Sequence, residues 1–175
     1  MLKSAKEIAY IAVFCALLIG GQLLFSAVPG IEIVTLLLVC FSFTFGALRG
    51  CVCAVAFSLL RQLVFGFFPT VLVLYLIYFT ALCACFGALG SVWKGKEKSR
   101  LGWLVLIVCA GAVCFNLLDV LITSLWYGYA PKAAQAYFIA SWSFTLPQVA
   151  CNAVTVGLCF LPLTKALGAA KRKLQ

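Results

Sequence analysis

A chain of 175 residues that is 66% hydrophobic and only 10% charged has almost no room for a soluble domain. Its mean hydropathy of +1.18 reads as an integral membrane protein. The absence of histidine removes haem, histidine-type zinc sites and most histidine-based catalysis, and the net charge of +9 is explained by topology rather than by nucleic acid.

At about 20 apolar residues per span, this length allows roughly six helices. The first run, about Glu7 to Ala27, is too long for the core of a signal peptide, and no cleavage-type site is followed by a polar start. Pro29-Gly30 ends it. A second run covers about Ile33 to Leu48 and a third about Cys51 to Phe65, with Arg49-Gly50 read as the turn between them. Both are short for a span, which leaves open a hairpin that does not cross fully. The fourth runs from about Val71 to Val92. The charged loop Lys94 to Arg100 follows, then a fifth run from Leu101 to Trp126. A polar, aromatic connection covers Tyr127 to Ser141, and the sixth run spans Trp142 to Leu167 before a basic tail. The expectation is one all-α domain over 1–175, a six-transmembrane-helix bundle.

Orientation follows from Lys and Arg. With the N-terminus inside, the inner segments collect Lys3, Lys6, Arg49, Lys94, Lys96, Lys98, Arg100, Lys165, Lys171, Arg172 and Lys173, and the outer ones only Lys132. Both termini are therefore expected in the cytoplasm, and the basic tail is assigned to topology alone. Trp126, Tyr127, Tyr129, Tyr137 and Trp142 read as an outer interface belt. The cysteines sit inside apolar runs. In the pairs Cys51/Cys53 and Cys83/Cys85 the side chains point apart on a helix, so they read as small apolar residues and no metal site is expected.

Two patterns stand out. Along the first helix Ala5, Ala9, Ala12, Ala16 and Gly20 form one narrow stripe. Small residues let another backbone approach closely, which drives helix association in lipid. The stripe packs either within the bundle or against a separate membrane protein. The second pattern is depth. At about 1.5 Å per residue, Asp119 lies about 27 Å and Asn116 about 22 Å from the inner start of helix five, and Arg61 about 16 Å from that of helix three. Gln22, Glu32, Tyr75, Tyr78, Gln148 and Asn152 fall in the outer half or at its mouth, whereas the inner halves are nearly all apolar. Asn116, Asp119, Thr123 and Trp126 share one helix face, as do Thr145, Gln148, Asn152 and Thr155. Such a one-sided polar cluster suits a water-accessible pocket, and ionisable groups at depth are functional candidates by default. Arg61 and Asp119 either neutralise each other or contact a ligand. Gln22 lies roughly 100° from the stripe, so helix one has a polar face and a smooth one, which favours an external partner for the stripe.

Taken with its size, six segments and termini, the chain resembles the substrate-binding S components of energy-coupling factor (ECF) vitamin transporters. The likeness rests on Ala12-Val13-Phe14-Cys15-Ala16, which fits that family's A-x-x-x-A motif, and on Pro29-Gly30-Ile31-Glu32-Ile33-Val34-Thr35-Leu36-Leu37 followed by Phe45-Gly46. It implies that helix one, through Ala9, Ala12 and Ala16, docks a transmembrane coupling subunit carrying two cytoplasmic ATPases. It also implies a vitamin-like ligand in an outward pocket capped by the first outer loop and lined largely by helices four to six. The chain itself has no phosphate-binding G-x-x-x-x-G-K-[ST] loop, so ATP chemistry belongs to partners. No cofactor is implied. The competing reading is a six-helix scaffold of the rod-shape-determining type, which need not confine polar residues to one half. Without histidine or paired acids, a membrane enzyme is the weakest reading.

Overall fold

The structure, a computed structural model, describes residues 5–26, 33–93 and 95–174. The expected outer loop, including Pro29-Gly30 and the candidate Glu32, lies outside the described residues, as does Lys94. Six helices follow one another: α1 Ala5–Phe25, α2 Val34–Phe45, α3 Ala47–Phe65, α4 Pro69–Val92, α5 Glu97–Tyr127 and α6 Pro131–Leu174. Five of them are long and apolar enough to cross a membrane. The exception is α2. Its 12 residues rise only about 18 Å, short of a hydrocarbon core of about 30 Å. The six-span expectation therefore becomes five span-length helices and one short one. All of α2 except Thr44 is buried, and it packs against α1, α3, α4 and α6. This explains its sequence: a helix hydrophobic all round is a core helix.

Around α2, the order of contact is α1 with α3, α3 with α4, α4 with α5, and α5 with α6. Aromatic rings fill two layers of the core. Tyr10, Phe14, Phe41 and Phe45 stack where α1 meets α2, with Phe14 and Phe41 4.4 Å apart. Phe57, Tyr75, Tyr78, Phe79 and Phe115 join α3, α4 and α5 in edge-on and tilted pairs. The ends of the helices sort by charge. The α2–α3 turn, the α4–α5 connection and the C-terminus of α6 gather at one end, called the basic end here. Arg49 closes that end by donating to Glu7 of α1 at 2.7 Å and to the Phe45 carbonyl at 3.1 Å.

Three boundaries differ from the sequence expectation. The α2–α3 turn is a single residue, Gly46, held at φ +95°, while Arg49 and Gly50 are helical. That positive φ suits only glycine readily. Gly50 is needed for another reason: a Cβ there would collide with Ser42 of α2. At the other end, Gly128 in the left-handed conformation terminates α5, and Pro131 opens α6 only three residues later. The expected connection from Tyr127 to Ser141 is therefore mostly helix. Its Ala133, Ala134 and Ala136 are strong helix formers, and proline is suited to a first turn. The charged loop is likewise shorter, because α5 begins at Glu97.

Close approach between α2 and α4 depends on a glycine. A Cβ on Gly90 would run into the backbone carbonyl of Phe43, which no side-chain rotation relieves. Gly90→Val is therefore expected to destabilise the bundle by about 1–3 kcal/mol or more through overpacking. Thermal unfolding in detergent reads this, and an unchanged midpoint would contradict the packing described.

Candidate functional site

The polar residues at the end opposite the basic end fall into two groups. One joins α1, α3 and α4. The Gln22 amide donates to the Tyr75 hydroxyl at 3.3 Å. The Arg61 guanidinium carbon stands 4.8 Å from the centre of the Tyr75 ring and 5.0 Å from that of Phe65. These cation–π contacts hold the charge but fill none of its donors. Its Nε and one terminal nitrogen, Nη1, are buried with no hydrogen-bond partner. Beside it, the Gln62 Oε1 accepts the Phe68 N–H at 3.0 Å, while its Nε2 is buried with no hydrogen-bond partner.

The second group joins α5 and α6. The Tyr137 hydroxyl donates to Asp119 at 2.7 Å, and Thr123 donates to the same carboxylate at 3.4 Å. Asp119 is thus supplied with donors by its own neighbours. Arg61 is not one of them. Among the described residues the one ion pair is Arg49 with Glu7, so the Arg61–Asp119 pairing weighed from the sequence does not occur.

Two further amides, on α5 and α6, carry buried atoms without hydrogen-bond partners. The Asn116 Nδ2 is buried and unpaired. Asn152 is 0% exposed, with neither Nδ2 nor Oδ1 hydrogen-bonded. A buried amide left without partners costs about 1–3 kcal/mol, so these atoms are candidates for a bound molecule or for water. Tyr75 and Tyr78 are buried, with Phe115 4.9 Å from the Tyr78 ring. Gln148 is half-buried on α6. Thr123 is buried on α5, but Trp126 is 56% exposed and faces away from the protein. It is an outer-surface residue and does not join the cluster.

The proposed docking residues are equally plain. Ala9, Ala12 and Ala16, with Ala5 and Gly20, are all exposed, whereas Ile11, Phe14, Cys15 and Leu18 turn inward. Packing of the stripe within its own bundle, the simpler alternative, is not what occurs. Larger side chains flank it, among them exposed Ile8, Val13 and Leu17.

Sequence reading missed two features here. Tyr137 was assigned to the interface belt, and nothing local marks it as the partner of Asp119. The basic residues of the other end were counted for topology only, yet several converge on one cleft. All ten cysteines are free thiols; Cys15 and Cys53 meet across α1 and α3 with their sulfurs 3.6 Å apart. The chain matches no protein-family model, no curated protein and no solved structure.

Proposed function

We propose that this protein is the substrate-capture subunit of an importer of the ECF type. It takes up a vitamin or related small heterocyclic micronutrient from outside and passes it inward with a separate coupling subunit and two ATPases. The termini then lie in the cytoplasm, and the Arg61 end faces out. The observation that carries the reading is Arg61: a guanidinium in a hydrophobic bundle, bracketed by two aromatic rings, with buried donors and no carboxylate partner among the described residues. A charge at membrane depth is costly unless something answers it. A ligand with a carboxylate or phosphate group supplies that answer, and Asn116 and Asn152 offer further hydrogen bonds. Because Tyr137 and Thr123 already serve Asp119, the positive side of the site sets the ligand's charge. The exposed stripe on α1 supports the second half of the proposal, since it leaves a smooth surface for another helix.

Uptake tests it. Vesicles containing this chain, its coupling subunit and ATPases should accumulate an acidic micronutrient when ATP is supplied, and omission of the chain should abolish accumulation. Equal accumulation without the chain would sink the reading.

A further inference from the structure

The basic end carries a feature that substrate capture does not use. At this end the last turns of α2, α4 and α6 and the first turn of α5 part around an open cleft of about 1270 Å3. Its floor is apolar, formed by Phe43, Phe45 and Leu161. Its rim holds Lys96, Lys98, Lys165, Lys171 and Arg172 against the single acid Glu97, leaving four positive charges in excess. Glu97 is itself occupied, accepting the Gly95 N–H at 2.8 Å. Lys171 is engaged too, donating to the Thr44 carbonyl at 2.6 Å and lying over the Phe45 ring. The whole chain has only four acidic residues for 13 basic ones. Of these acids, Glu7 pairs with Arg49 and Asp119 lies at the opposite end. No protein carboxylate is left to balance the cleft among the described residues.

We infer that this cleft binds the phosphodiester headgroup of an anionic phospholipid. Three features select a lipid. The cleft is larger than the roughly 300–1,000 Å3 that encloses a small molecule. Cations on the rim with aromatic and aliphatic groups on the floor match a charged headgroup above acyl carbons. The cleft also lies at the ends of the spanning helices, where headgroups sit, and basic pockets between membrane helices are established headgroup sites. Topology explains why lysines and arginines are on this side, but not why they surround a cavity.

The test uses the full chain, stripped of lipid in a neutral detergent. Phosphatidylglycerol or phosphatidylcholine is added at equal mole fraction, and bound lipid is counted by native mass spectrometry. Phosphatidylglycerol should be retained with a preference of about tenfold or more. Lys96→Gln, Lys165→Gln and Arg172→Gln combined should weaken its binding by roughly two orders of magnitude, about fivefold per charge. Lys132→Gln, at the opposite end, should leave it unchanged. Equal retention of the two lipids overturns the proposal, and so does a loss as large in Lys132→Gln as in the triple variant. Displacement of the lipid by millimolar inorganic phosphate would assign the cleft to a soluble phosphate compound instead. Should the triple variant fail to fold, the lipid preference and the phosphate competition on the native protein still decide.

Discussion

Arg61→Gln is expected to weaken ligand binding by about 2–5 kcal/mol, the cost of losing a buried charged contact. Protein stability should hold or rise at the same time. In the native protein Arg61 keeps Nε and Nη1 buried and unpaired, and it faces aromatic rings rather than a carboxylate. Removing unanswered donors should relieve about 1–3 kcal/mol. A residue placed for packing behaves in the opposite way, losing stability when altered. Asp119 gives the internal control. Its partners are Tyr137 and Thr123, so Asp119→Asn should cost about 1.5–3 kcal/mol through the weakened charged hydrogen bonds. Combined with Arg61→Gln, the effects on unfolding should add within about 0.5 kcal/mol. Thermal unfolding in detergent for both single variants and the double variant, beside ligand titration, makes the comparison. A rescue of one substitution by the other would mean that the two charges pair after all.

The second large effect concerns α1. Ala12→Trp or Ala16→Trp should abolish ATP-driven uptake while leaving ligand affinity within about twofold, well under 1 kcal/mol. Both alanines are exposed, so an indole there meets nothing inside the bundle. The buried face of α1, with Phe14 and Leu18, is untouched. What the indole blocks is close approach by a second helix, on which association in lipid depends. The unfolding midpoint of the isolated protein should not move. Normal uptake by either variant would remove the docking role of the stripe.

Much of this architecture was legible from hydrophobic runs and from small residues at helical spacing. The runs locate every helix, and the stripe on α1 is exposed as an external-partner reading requires. Boundaries were harder because one signal served two purposes. Gly46 and Gly50 look alike in sequence, yet one makes the turn and the other makes room for Ser42. The aromatic stretch after α5 resembled a loop at the interface, but its alanines continue a helix from Pro131. The site was legible only as a set of depths. Which residue meets Asp119 depends on the antiparallel register of α5 and α6, and no local pattern encodes the 18-residue reach to Tyr137. The basic cleft was hidden for the same reason. Its rim comes from the α4–α5 connection and the end of α6, which meet only because both pack around the short α2.

On the proposed reading, Arg61 with Asn116 and Asn152 holds a small acidic ligand. This is tested most directly by native mass spectrometry of the protein purified gently from the membranes in which it is made. One small-molecule adduct is expected on the native protein, retained in Ala12→Trp and lost in Arg61→Gln. A native protein that carries no such adduct and gains none from any acidic micronutrient would contradict that reading, as would an adduct held equally by Arg61→Gln.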